Sequence, residues 1–279
     1  MVSLSNPRMV SLSNPMIRHE HGRVVAYAFQ TLSTEPTVAH AVFTRHGGVS
    51  PAPWQSLNLS TGTGDSAENV AENTRRVVET LGWSPADAVT SRQVHGAQVA
   101  VVGRDHRARR IADSDGLITD SPGVVLLQRY ADCAPILLYD PERPAVGVAH
   151  AGWRGTLAGI AGVMVKRMGE AFGSKPGSLV ACIGPAIGQC CYHVGAEVQQ
   201  LFSERHALGA NCLHPRGGRV YLDLWEANRS QLHEAGVRQV EVAGLCTSCN
   251  TGDFYSARAE NRLNGCFGAV IALRDNGGL

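Results

Sequence analysis

Three short segments of this chain combine turn-forming residues with side chains able to bind a metal. Gln93–Gly96 reads QVHG, Tyr130–Pro135 reads YADCAP and His150–Gly155 reads HAGWRG. Each borders a run with strand character: His95 precedes Val99, Cys133 precedes Ile136 and His150 follows Val148. Residues at strand ends can converge on one mouth of a sheet, where sites are commonly built. His95, Cys133 and His150 would then offer two imidazoles and a thiolate, three protein ligands with a fourth position open. That is the arrangement of a catalytic zinc rather than a structural one. The same residues admit two other readings. The histidines can be satisfied turn residues and Cys133 a small buried hydrophobe, or Cys133 can be the nucleophile and His150 the base of a metal-free cysteine hydrolase.

Two arginines are placed to hold an anion. Arg154 lies between Gly152 and Gly155 where a helix is expected to begin, so a guanidinium fork would meet free backbone N–H groups and a positive dipole end. Arg45 lies in the Gly-rich TRHGG turn and would supply a second cation; the bland alternative is that both arginines tie down loops. Cys246 and Cys249 form C-x-x-C with no second pair at zinc-finger spacing and no thioredoxin-like context, so a structural or incidental role is expected. The adjacent Cys190 and Cys191 read as core packing. His19 and His21 form a His-x-His pair beside an irregular start and carry no assignment. The basic stretch Arg104–Arg110 lacks interleaved aromatics and reads as a solvated loop rather than a nucleic-acid patch.

The elements that must position these residues are mostly strands. Apolar runs at Val99–Val102, Val124–Gln128, Ile136–Tyr139, Ala145–Ala149, Leu179–Ile183, Val240–Ala243 and Ala269–Leu273 are apolar along their length, as strands buried on both faces are. Three helices are expected. The first opens with a capping-box pattern at Asp65 and Glu68, with Val70, Val77, Val78 and Leu81 on one face. The second starts near Gly155 with a stripe of Leu157, Ile160, Met164 and Met168. The third runs from Asp223, with Glu226 three residues on, to a stop at Gly236. Strands outnumber helices, so the expected fold is a single α+β domain over residues 17–279, with mixed β-sheets flanked by helices. Residues 1–7 and 9–15 both read MVSLSNP, and this duplicated start, residues 1–16, is expected to be disordered.

Composition removes several classes of function. With 25 Lys plus Arg against 24 Asp plus Glu in 279 residues, no global basic field exists to hold nucleic acid or an anionic membrane. The apolar runs are too short to span a bilayer. Eight cysteines in a chain of this length do not make a disulfide scaffold, and the start lacks a secretory pattern, so a reducing cytoplasm is the expected compartment.

Beyond the three segments, the chain carries TRHGGVS at Thr44–Ser50, LNL at Leu57–Leu59, Gly64-Asp65, DGLIT at Asp115–Thr119 and IGP at Ile183–Pro185. CYHV at Cys191–Val194, CT at Cys246–Thr247 and FYSAR at Phe254–Arg258 follow. In this order, from about Phe43 to Phe267, they resemble the laccase-domain, or multicopper polyphenol oxidase, family. The resemblance implies a zinc-dependent purine nucleoside phosphorylase acting on adenosine, inosine, guanosine and methylthioadenosine with phosphate, and adenosine deaminase as a side activity. It also implies that His95, Cys133 and His150 bind the metal. Two departures stand out: Tyr130 occupies a position usually held by a small residue, with an expected effect on substrate fit, and Asn261–Gly265 replaces an Arg-rich segment. Asp132 and Asp115 are candidates by adjacency for the acid that protonates the purine. A copper-dependent polyphenol oxidase is the alternative that the older family name implies. Such enzymes need a large set of histidines, mostly in His-x-His pairs, and only one such pair occurs among the 11 histidines here. A non-enzymatic binding module is the remaining class.

Overall fold

Residues 16–205 and 211–275 are described by the computed structural model. The expectation about the duplicated start falls outside these residues, apart from Met16, which opens the first strand. A seven-stranded sheet has the order β1 (Met16–His21), β2 (Val24–Phe29), β3 (Val38–Phe43), β16 (Phe267–Leu273), β8 (Val125–Tyr130), β4 (Ala88–Ser91) and β6 (Arg110–Ile111). A six-stranded sheet has the order β15 (Gln239–Val242), β11 (Val180–Ile183), β9 (Ala134–Asp140), β10 (Ala145–Ala151), β7 (Gly116–Thr119) and β5 (Val99–Val101). A small third sheet joins β12 (His193–Val194), β14 (Arg219–Leu222) and β13 (Leu213–Arg216). Both large sheets are mixed: β9 and β10 pair antiparallel, whereas β5 with β7 and β4 with β8 pair parallel. The fold is single-domain α+β.

The two large sheets face each other across a core that includes Phe29, Val42, Leu126, Phe267 and Ile271 from one and Leu117, Leu137, Val146, Val148 and Val180 from the other. Each outer face is covered as well. Helix α2 (Ala67–Thr80) lays Val77 against Val24, Phe43, Leu127 and Val270 of the first sheet. On the second, α4 (Ile160–Phe172) and α6 (Leu224–Glu234) bring Ile160, Met164, Met168 and Leu232 onto Ile118, Ile136, Leu138 and Ala149. This four-layer stack explains why the central strands read as continuous apolar runs: residues pointing to either face meet apolar neighbours. All seven positions of β9, β10 and β16 are buried. The expectation fails at the sheet edges, where β5 and β15 are only partly buried because one side has no neighbour.

Two helix starts differ from the sequence reading. The N-cap of α2 is Ser66, whose Oγ accepts from the Asn69 N–H; Asp65 instead accepts from the Ser50 hydroxyl and the Asn69 side chain. The helix expected near Gly155 is two. Five-residue α3 (Trp153–Leu157) stops where Gly159 adopts a left-handed φ of 87°, and α4 restarts at Ile160. The Asp223 cap accepts from the Glu226 N–H as expected. The fold also contains α1 (Gln30–Ser33) and α5 (Ala196–Glu204).

Candidate active site

The register of β9 and β10 begins the site. His150 pairs with Pro135 and Ala151 with Ala134, so the thiol just before β9 lies beside the imidazole near the end of β10. Strand β7, on the other side of β10, begins next to Asp115, and β5 beyond it follows the QVHG loop. Four adjacent strand ends thus carry Cys133, His150, Asp115 and His95 to one place. The donor atoms of His95, Cys133 and His150 all lie within 4.8 Å of one another, and the two imidazoles meet edge-on with ring centres 4.8 Å apart.

Close backbone approach makes this possible. A Cβ on Gly152 would lie 2.9 Å from Cys133 Sγ and 3.0 Å from His95 Nδ1; one on Gly155 would lie 2.8 Å from the Gly96 carbonyl oxygen. The glycines of HAGWRG therefore let the loops close on each other.

Asp115 organises the set without lining the cavity. One carboxylate oxygen lies 2.9 Å from His150 Nδ1, and the pair accepts from the N–H groups of Val94, His95 and Gly96 at 2.8–3.0 Å. This fixes the QVHG loop with His95 at φ 60° and engages Nδ1 of His150, so that Nε2 is the ring nitrogen of this cavity-lining residue not taken up by Asp115. Burial alone would raise the Asp115 carboxyl, but these donors outweigh it and hold it below the usual carboxylate range. Burial would likewise raise the Cys133 thiol; the neighbouring His150 and His95 reverse the effect and hold it at about 6. Burial disfavours charge on His150 too, yet Cys133 and Asp115 lift it to about 9. The protein environment thus favours a thiolate, the form that binds a metal or attacks an electrophile. Two nitrogens, one thiolate and a carboxylate behind one histidine fit a borderline-soft divalent ion such as zinc.

The triad lines a cavity of about 680 Å³. Arg110, Arg129, Arg154, Arg258 and Arg262 line it, and none of the five forms an ion pair among the described residues. Trp153 and Tyr192 line it too, with the Arg154 guanidinium over the Trp153 ring at 4.3 Å and that of Arg258 over Tyr192 at 5.3 Å.

Several sequence expectations change here. Arg154 faces the cavity, but it lies within the short α3 rather than ahead of a long helix, so any anion affinity rests on its guanidinium and not on a helix dipole. Arg45 does not line the cavity. Its guanidinium pairs with Glu260 at 2.9 Å, donates to the carbonyls of Thr251 and Gln55, and stacks on Tyr255, so it ties loops together. Tyr130 is buried beside His150, with ring centres 5.7 Å apart, donates its hydroxyl to the Ala149 carbonyl and does not line the cavity. Both candidate acids are hydrogen-bonded: Asp115 as described, off the cavity wall, and Asp132, which lines the cavity, by accepting from the Thr247 hydroxyl and the Arg258 N–H, each at 2.7 Å. Cys190 and Cys191 are not core residues; Cys190 is exposed and Cys191 half-buried. They meet Cys246 and Cys249, with all four sulfurs within 4.8 Å, so C-x-x-C does have a second pair. Arg110, expected at the end of a solvated basic loop, opens β6 and lines the cavity; residue types gave no signal for Arg129 or Arg262, which reach it from separate parts of the chain.

A family model described as multi-copper polyphenol oxidoreductase laccase matches residues 39–274. The chain belongs to this laccase family. A relative from Deinococcus radiodurans named purine nucleoside phosphorylase is 41% identical over 236 residues, covering 85% of this chain and 89% of its own. Purine nucleoside phosphorylase YlmD of Geobacillus stearothermophilus is 40% identical over 245 residues, covering 83% and 89%. The crystal structure of the latter organism's YlmD superposes with a TM-score of 0.87 at 36% identity, over 94% of this chain and all of that one. The laccase-family fold is therefore shared along nearly the whole chain. No helix among the described residues is long and apolar enough to cross a membrane.

Proposed function

We propose that this chain is a metal-dependent purine nucleoside phosphorylase. The observation that carries the reading is the make-up of one cavity: a His–Cys–His donor set, arginines that form no ion pair among the described residues, and two aromatic rings on the wall. The names of the relatives support it. Adenosine, inosine, guanosine and methylthioadenosine are the proposed nucleosides, inorganic phosphate the co-substrate and zinc the metal, with adenosine deamination as a side activity.

In phosphorolysis a phosphate oxygen bonds to C1′, the C1′–N9 bond breaks, and its electron pair leaves with the purine, which takes up a proton. Arg154 and Arg258 hold the phosphate dianion in this scheme, as arginine forks do. Trp153 and Tyr192 offer faces for the purine. Asp115 holds His150 and the QVHG loop in register. Zinc would be held by His95, Cys133 and His150 and would supply Lewis acidity in the cavity. Orientation of two reactants and stabilisation of developing charge are the protein's main contributions. A copper oxidase fits less well, because the two metal-capable groups among the described residues provide only two histidines between them.

A second reading draws on the Cys133–His150–Asp115 alignment, which has the order of nucleophile, base and orienting acid in a cysteine hydrolase. One experiment separates the two. Adenosine and inosine are incubated with metal-analysed protein, with and without phosphate, and free base, pentose 1-phosphate and deaminated nucleoside are quantified. Phosphate-dependent release of base that disappears on chelation and returns with zinc is the expected result. Phosphate-independent turnover of ester or amide substrates by metal-stripped protein would establish the hydrolase instead.

A further inference from the structure

Cys190 and Cys191 lie in the loop between β11 and β12, whereas Cys246 and Cys249 follow β15. The chain folds so that all four sulfurs lie within 4.8 Å of one another, with Cys249 Sγ 3.6 Å from Cys190 and 3.4 Å from Cys191. Tetrahedral coordination at a metal–sulfur distance of about 2.3 Å places neighbouring sulfurs roughly 3.8 Å apart, so the observed spacing needs only small adjustment. The backbone supports the arrangement: the Gly188 N–H donates to Cys246 Sγ at 3.3 Å, a bond that favours a bound thiolate. Cys246 is buried and bridged to Ala186, so one ligand is fixed in the fold while Cys190 and Cys249 close from the surface.

We propose that Cys190, Cys191, Cys246 and Cys249 form a second metal site, binding one zinc ion through four thiolates. An all-sulfur tetrahedral set selects soft or borderline ions, and a four-ligand site with no open position is a structural one. Its placement gives it a task. Tyr192 follows Cys191 directly and lines the cavity. Thr247, between Cys246 and Cys249 in sequence, donates to Asp132, which precedes Cys133. Arg258 bonds through its N–H to Asp132 and through its guanidinium to the His193 carbonyl. The ion would staple residues 186–193 to residues 245–258 and so hold the cavity wall that carries Tyr192 and Arg258. The proposal does not rest on the reaction proposed above, because it is read from metal and thiol chemistry rather than turnover.

The test is metal analysis of Cys133→Ser, which disables the other donor set, beside Cys133→Ser/Cys190→Ser/Cys249→Ser. After zinc loading and removal of free ion, the first variant should retain one zinc per chain and the second none. Cobalt in place of zinc in the first should give the intense sulfur-to-metal absorption of a tetrathiolate. Folding of the triple variant is not needed, because the wild type gives an independent readout. Its exposed Cys190 and Cys249 should resist iodoacetamide, as read by peptide mass spectrometry, until a chelator is added. Rapid labelling of both in zinc-loaded protein would overturn the proposal. So would a metal-free Cys133→Ser chain, a disulfide within the cluster, or iron–sulfur absorbance.

Discussion

Asp115 shows how one buried carboxylate sets the geometry of the side chains proposed to hold the metal. It accepts from three consecutive backbone N–H groups and meets His150 Nδ1, so it fixes one histidine by its loop and the other by its ring. Partners behind a metal ligand typically contribute about 10- to 100-fold in metal affinity. Asp115→Asn should therefore weaken zinc binding at the His95–Cys133–His150 site by about that factor, measured by competition with a chromophoric chelator; unchanged affinity would reduce Asp115 to a loop brace. Arg154 makes a different prediction. Losing one bidentate arginine–phosphate contact should cost about 2–3 kcal/mol, or about 30- to 150-fold. Arg154→Ala should slow base release from inosine by that order, mainly by raising the phosphate requirement, while adenosine deamination, which consumes water, falls far less. Rates of both reactions over a phosphate titration check this. Equal losses would mean that Arg154 positions the nucleoside or braces His150.

At the scale of elements, the legible part was what apolar continuity reports. All seven expected strands are present; the four-layer stack buries both faces of the five central ones, while β5 and β15 form at sheet edges with only partial burial. Strands β2 and β3 escaped notice because alanines and one histidine interrupt their pattern, although all twelve positions are buried. The histidine is His40, whose Nε2 accepts from the Phe29 N–H at 2.8 Å, so it completes the sheet as a neutral acceptor. Burial lowers its pKa to about 4. Since the unfolded chain protonates near the ordinary 6.5, it binds the extra proton first as pH falls. This contribution to stability is therefore intact above about 6.5 and lost between there and about 4. The shift corresponds to roughly 3 kcal/mol. His40→Gln, which keeps an acceptor but cannot titrate, should flatten that part of the stability–pH curve in urea unfolding at pH 7 and pH 4.5. An unchanged slope would show that other groups dominate acid unfolding.

Across the whole molecule, the site is assembled from segments near residues 95, 115, 133, 150, 192 and 258, and this explains the limits of sequence reading. His95, Cys133 and His150 were legible because each sits in a turn at a strand end and has a distinctive side chain. Arg154 was legible from its glycine-flanked turn; Arg129, Arg258, Arg262 and the meeting of the cysteine pairs were not, because their meaning arises only when loops far apart in the chain meet, as those of Cys191 and Cys249 do. The same dispersal means that the unfolded chain holds no phosphate pocket, so phosphate should bind the native state alone and raise its stability by linkage. At a phosphate concentration of about 100 times its Kd, that stabilisation is about 2.7 kcal/mol. If Arg154→Ala weakens phosphate binding by about 30- to 150-fold, the same concentration stabilises the variant by only about 0.3–0.9 kcal/mol. For a chain of this size, each kcal/mol moves Tm by roughly 2–4 °C. Thermal unfolding with phosphate, against sodium chloride at matched ionic strength, should thus shift wild-type Tm by about 5–11 °C and that of Arg154→Ala by about 4 °C or less. Comparable shifts in both proteins would place the anion on Arg110, Arg129, Arg258 or Arg262 and remove Arg154 from the phosphate site.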